Sequence, residues 1–157
     1  MARKCKYTFR PDCEGLEGRQ LMSTIVNAYN GKFLADPQAS TSNGTAIIQY
    51  HQTGGVEQQW NLIPLTNGNY VIQNQASGKV LDDPGYSTSN GTTIIQYDYN
   101  GGTNQQWRLV PVGNGNYAIQ NAFSGKVLAD PQASTADGTA MIQYDWQDGP
   151  EQQWTLG

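Results

Sequence analysis

One passage is written three times in this chain at a fixed spacing of 47 residues, with no insertion between copies. Gly31, Gly78 and Gly125 align, as do Asp36, Asp83 and Asp130, then Gly44, Gly91 and Gly138, then Tyr50, Tyr97 and Tyr144. Each copy ends on Gln-Gln-Trp, at Trp60, Trp107 and Trp154. A repeat this regular fixes the architecture before any local prediction is made, and it multiplies whatever site one copy carries.

The interior of a copy reads as short strands between turns. In the second copy, Asn69–Asn74 alternates and is β-rich, and Ser77-Gly78 turns into a strand at Val80-Leu81. Pro84-Gly85 breaks that strand, and Ser89-Asn90-Gly91 turns again. Thr92–Tyr97 is a third strand, and Gln106–Val110, after Asn100-Gly101-Gly102, is a fourth. Four strands per copy predict about twelve in all. The glycines and β-branched runs exclude helix-pair solenoids. Propellers share the period and the four strands but need at least about four blades, and only three copies exist. The remaining solution is an all-β chain, a β-trefoil of three four-stranded repeats around a pseudo-threefold axis, which pairs the strands and removes exposed edges. The tryptophans then occupy equivalent points of one core, each with Leu34, Leu81 or Leu128.

Repeats are predicted at about 20–66, 67–113 and 114–157, giving a domain over 20–157 behind an extension over 1–19. The extension holds both cysteines, Cys5 and Cys13, so the repeats are not built on disulfides; a bonded pair and two free thiols both remain open. With Tyr7, Phe9 and its basic residues the extension has three readings: a homodimer contact, packing against the trefoil, or a leader. It lacks the apolar stretch of a secretory signal, so the expectation is a cytoplasmic protein, one exported by a route without a signal, or a trimmed chain. No apolar run is long enough for a membrane helix, so no membrane insertion is expected. The extension carries +2 and the repeated part −6, so nucleic acid is a poor partner and neutral ligands fit better.

Each copy combines Ser/Asn-Gly-Lys-x-Leu, a Ser-Thr-x-x-Gly-Thr turn (Ser-Thr-Ser-Asn-Gly-Thr in copies one and two) and a terminal Gln-x-Trp. Together, over roughly residues 20–157, they resemble the ricin B-type lectin family. The resemblance implies a carbohydrate-binding module or lectin, not an enzyme, for galactose- or GalNAc-type or related neutral sugars, with xylose-type sugars as an alternative. It implies no cofactor and no metal. A xylan-binding module of a glycoside hydrolase, the binding subunit of a toxin and a trefoil protease inhibitor are the competing readings. A single histidine and two cysteines outside the repeats cannot build a repeated nucleophilic triad.

A pyranose needs an aromatic ring for its C–H face, a carboxylate for vicinal hydroxyls and an amide for the rest. The family pattern places these in copy two at Asp82, Tyr97, Asn104 and Gln105, with Asp83 beside them. In copies one and three Ala35 and Ala129 replace Asp82, and the acid comes one residue later at Asp36 and Asp130. Their sites would comprise Asp36, Tyr50, Glu57 and Gln58, and Asp130, Tyr144, Glu151 and Gln152. Adjacent strand residues face opposite ways, so Asp36 and Asp130 reach a ligand only if the chain bends at Pro37 and Pro131. The other reading makes these aspartates caps for local amides. Residues 27–60 and 121–154 agree at 23 of 34 positions, so copies one and three form a matched pair that binds by a modified geometry or serves the scaffold. Tyr99 and Trp146 are candidates to widen the aromatic platform. Gln49, Gln96 and Gln143 are expected to be structural, and His51 to be a surface residue.

Overall fold

The structure is a computed structural model that describes residues 21–157. Everything expected of the 1–19 extension, including Cys5 and Cys13, lies outside the described residues.

The described chain is an all-β trefoil. Its first and fourth strands form the barrel: β1 (Leu21–Ser23), β2 (Ile25–Asn27), β5 (Trp60–Pro64), β6 (Tyr70–Asn74), β9 (Trp107–Gly113), β10 (Asn116–Asn121) and β13 (Trp154–Leu156). The remainder form three hairpins, β3 (Phe33–Ala35) with β4 (Ile48–Tyr50), β7 (Val80–Asp82) with β8 (Ile95–Tyr97), and β11 (Val127–Ala129) with β12 (Ile142–Tyr144). Pairing runs β1-β5-β6-β9-β10-β13-β2. Because β1 and β2 are consecutive halves of one strand, that order closes the barrel and leaves no free edge.

Thirteen described strands replace the expected twelve. The first strand of copy one is interrupted at Thr24, whose amide and carbonyl both bond Gly157 at 3.0 Å. Its two halves pair with different neighbours, β1 with β5 and β2 with β13. The third strands also start later than the apolar run suggests. Thr92 Oγ1 donates to the Ser89 carbonyl and contacts Ser87 Oγ, which holds the preceding residues in a turn.

The core repeats with the chain. Trp60, Trp107 and Trp154 are fully buried together with Leu34, Leu81 and Leu128, the isoleucines Ile25, Ile72 and Ile119, and Ile47, Ile94 and Met141. Each indole N–H donates to the carbonyl of its own copy's leucine, at 3.0 Å to Leu34, 3.0 Å to Leu81 and 3.1 Å to Leu128. The polar end of a large buried ring is thereby satisfied three times in the same way.

The hairpins are fastened to each other by the expected structural glutamines. Gln96 Nε2 donates to the carbonyls of Ser40 and Ser42 in copy one, Gln143 to Ser87 and Ser89 in copy two, and Gln49 to Ser134 and Ala136 in copy three. Each copy thus holds the turn of another, and the three clamps close a ring around the axis.

Candidate functional site

Each second strand ends at an aspartate followed by proline, and the chain leaves the strand there. Asp36, Asp83 and Asp130 keep extended backbones (φ −88°, −89° and −85°), and a 3-10 turn follows at Pro37–Ala39, Pro84–Tyr86 or Pro131–Ala133. Inside it the backbone is left-handed at Gln38 (φ 55°), Gly85 (φ 65°) and Gln132 (φ 57°). Ala39, Tyr86 and Ala133 follow at φ 52°, 55° and 51°. For residues with a Cβ such conformations cost on the order of 1–3 kcal/mol each and concentrate at sites of function. Copies one and three carry two such residues in succession, and copy two relieves one with glycine.

The bend turns the aspartate toward a second 3-10 turn, the one before Gln-Trp, at Val56–Gln58, Thr103–Gln105 or Pro150–Gln152. The amide N–H of Asp36 donates to the Glu57 carbonyl (3.1 Å), that of Asp83 to Asn104 (3.0 Å) and that of Asp130 to Glu151 (3.1 Å). Two turns distant in sequence are therefore joined where the second strand ends, opposite the start of the third strand at Ile48, Ile95 or Ile142, while Tyr50, Tyr97 and Tyr144 stand at the third strand's other end, opposite Phe33, Val80 and Val127.

In copy one this produces a pocket of about 330 Å³. Ala35 and Ile48 supply apolar wall, and Asp36, Gln38, Tyr50, Thr53, Glu57 and Gln58 bring polar groups to it. Glu57 folds over Gly55, where any side chain would collide with its carboxylate, and Thr53 Oγ1 donates to Glu57 Oε2 at 2.9 Å. Gly102 and Gly149 leave the same space for Asn104 and Glu151. Sequence reasoning read the glycines of this loop only as turn formers; their recurrence one residue before each 3-10 turn was the available signal.

The aspartates are fully or almost fully buried. Both carboxylate oxygens of Asp36 and of Asp83, and Oδ1 of Asp130, lack a hydrogen-bond partner among the described residues. None makes a side-chain cap bond to its own turn, although the Ser40, Ser87 and Ser134 amides lie near enough to favour the charged form. The Ser40 amide lies near Asp36 and favours its charge, but donates to the Pro37 carbonyl. Burial pushes Asp36 up to about 6, with the Glu57 charge adding to the effect. Burial pushes Asp130 to about 6, with Glu151 a smaller contribution, and Asp83 to about 7, with Asp82 adding. Asp130 Oδ2 accepts from Asn30 Nδ2 at 3.2 Å, a reach across copies that the equivalent Ser77 and Ser124 are too short to make.

Copy two places its two acids differently from the family pattern. Asp82 is tied inward, with Oδ2 accepting from Gln105 Nε2 at 2.8 Å and Oδ1 facing Asn104 Nδ2 at 3.4 Å. Asp83 holds the free oxygens. Burial raises Asp82, opposed by the Gln105 bond. Gln58, Gln105 and Gln152 each close their own loop: the side-chain carbonyl accepts from the amide of Thr53, Asn100 or Gln147, and the side-chain N–H donates to the carbonyl of His51, Asp98 or Asp145. Tyr97 is well exposed, while Tyr50 and Tyr144 are half-buried. Trp146 is also exposed, whereas Tyr99 packs partly against Ile63, Val71 and Val80.

An aromatic pair that the sequence reading missed joins copy two to copy three. Tyr86 stands where the other copies have Ala39 and Ala133, its hydroxyl close above Gly102, and its ring meets Phe123 edge-on at 4.9 Å. The signal was the break in the repeat itself. His51 lies outside the pocket lining, with Nδ1 2.7 Å from Asp137 Oδ2, and Lys32 reaches the other oxygen at 3.0 Å.

Comparison with known proteins agrees with the fold. The family model described as "Ricin-type beta-trefoil lectin domain-like" matches residues 6–97 and 103–157. No curated protein gave a match. Among solved structures, the designed threefold-symmetric protein ThreeFoil is 47% identical, with a TM-score of 0.84 over 86% of this chain and 96% of its own. The exo-β-1,3-galactanase 1,3Gal43A from Clostridium thermocellum is 35% identical with a TM-score of 0.83, and this chain spans only 29% of it. A ricin B-like lectin from Macrolepiota procera, solved with lactose, is 21% identical with a TM-score of 0.75 over 87% of this chain and 94% of its own, a likeness of fold. This chain belongs to the ricin-type β-trefoil lectin domain-like family.

Proposed function

We propose that the chain is a multivalent, metal-independent lectin for galactose-type neutral glycans. It is a binding protein without catalytic activity, with one site per repeat. The sites centre on Asp36, Tyr50 and Glu57 in copy one, Asp83, Tyr97 and Asn104 in copy two, and Asp130, Tyr144 and Glu151 in copy three. The observation that carries this reading is the buried aspartate with unpartnered oxygens, recurring at threefold-related positions, which in copy one lines a pocket together with Tyr50. A buried carboxylate without donors is unfavourable unless something supplies them. Vicinal hydroxyls of a pyranose supply two at once, while the tyrosine ring covers its C–H face. This pairing requires no cation.

Single shallow sites of this kind bind with Kd on the order of 0.1–1 mM. Three on one rigid body raise avidity for clustered glycans by about 10²–10⁴ where spacing allows. Retention on immobilised galactose, release by free galactose and indifference to EDTA are the expected results. Passage through galactose, lactose and xylan columns alike would contradict the reading. The likeness to part of a galactanase favours a second one, in which the same sites serve as the galactan-targeting module of an enzyme.

A further inference from the structure

The pocket of copy one contains two carboxylates and, among the described residues, no cationic side chain. Asp36 is fully buried there with both oxygens unpartnered, and Glu57 shares the wall with a single hydroxyl donor, from Thr53. Among the described residues, no lysine, arginine or histidine lines the cavity. The nearest basic residues in sequence, Lys32 and His51, are both engaged with Asp137. Glu57 and Asp36 influence each other electrostatically, in the direction that opposes ionisation of Asp36. Copy three repeats the arrangement: Asp130 is buried with Oδ1 unpartnered, and Glu151 lies above Gly149 and opposes its ionisation.

A neutral sugar donates hydroxyl protons to the aspartate but leaves the combined negative charge uncompensated. An ammonium on the ring provides three donors and the missing positive charge together. Copy two is built otherwise. Asn104 replaces the glutamate, its amide donates to the Asp83 carbonyl at 3.0 Å, and Asp82 is held by Gln105. That site also holds two acids, but amides of Asn104 and Gln105 face both oxygens of Asp82, whereas Glu57 has one hydroxyl donor.

We propose that copies one and three prefer amino sugars bearing a free ammonium over neutral sugars, the ammonium held between Asp36 and Glu57 and between Asp130 and Glu151, while copy two has no such preference. This rests on the carbohydrate-binding reading and adds a substrate class to two of its three sites.

The test is calorimetric titration at pH 6.5 with galactosamine, N-acetylgalactosamine and galactose, using the full chain and the variant Glu57→Gln/Glu151→Gln. Thermal unfolding of the variant confirms that it is folded, and the glutamine carbonyl can still accept from Thr53. Galactosamine should bind about tenfold or more tightly than galactose at two sites, because a charge-assisted contact replaces a neutral one. Acetylation should remove the advantage, and so should the double substitution; copy two, which has Asn104 at this position, keeps its galactose affinity in the variant and is the internal reference. Equal affinity for galactosamine and galactose in the unmodified chain overturns the inference, as does a preference that survives the double substitution; galactose binding would still stand in both cases. Failure of all three sugars to bind overturns the carbohydrate reading and the inference with it.

Discussion

Asp36, Asp83 and Asp130 sit where a folded protein normally keeps a paired charge or none, and the consequence is a stability that depends on pH. Their folded pKa values, about 6, 7 and 6, lie above the unfolded value of 3.8. Such a group stabilises the fold in its protonated form, and that contribution is lost as pH rises from about 4 through 7. Asp137 acts in the opposite sense. Hydrogen bonds from His51 and Lys32 hold it at about 2, so its contribution is present above 3.8 and lost as pH falls toward 2. The melting temperature should therefore peak near pH 4–5 and decline toward pH 7.5. Asp83→Asn should flatten the upper limb, and a melting temperature that climbs from pH 4 to 7 would refute this assignment. Sugar binding should move the other way, strengthening as pH rises through 6–7, because the ionised carboxylate is the better acceptor. The sequence did not show which aspartate carries the free oxygens. Leu81-Asp82 matches the family pattern, yet Gln105 claims Asp82, and Asp83 acquires its position only through the left-handed turn at Gly85 and Tyr86.

The elements that matter most are the turns, since the strands are mostly three residues long. Joining Asp36 to Glu57 backbone-to-backbone brings the Pro37–Ala39 and Val56–Gln58 turns together, and Gly55 leaves the space for the second carboxylate. Gly55→Ala should therefore displace Glu57 and weaken binding at copy one by about tenfold or more, with little effect on copies two and three, as read by titration. Unchanged binding at copy one would mean that Glu57 takes no part. The clamps should matter for stability instead. Gln143→Ala removes donors to Ser87 and Ser89 and the acceptor of Ser124 Oγ, leaving buried polar groups unpaired. The expected loss is about 2–3 kcal/mol, or roughly 4–10 °C in melting temperature for a domain of this size, without loss of sugar binding by the folded protein. Alternation along the strand placed Gln143 inside, so that role was legible. The loop-closing role of Gln58, Gln105 and Gln152 was not, because it depends on a contact five residues back across an irregular loop whose path no periodicity specifies.

At the scale of the molecule, the threefold repeat was the most legible feature, because three Gln-x-Trp corners with their leucines leave few ways to build a shared core. Indole-to-leucine hydrogen bonds near 3.0 Å in all three copies show how strictly that core repeats. Trp107→Phe should cost about 2–4 kcal/mol through the lost volume and the orphaned Leu81 carbonyl, and it should do so without altering which sugars bind. The surface follows the symmetry less closely than the core does. Copy two carries Tyr86 against Phe123 and Asn104 at the position where the other two carry Glu57 and Glu151, so one scaffold presents two kinds of surface at equivalent positions.

The central claim is that the buried aspartates are sugar acceptors, and calorimetric titration with galactose measures it most directly. The unmodified chain should bind close to three equivalents. Asp83→Asn should reduce that to two, and Asp36→Asn/Asp83→Asn/Asp130→Asn should abolish binding while leaving the protein folded. Galactose binding with unchanged stoichiometry and affinity in the folded triple variant would contradict the account.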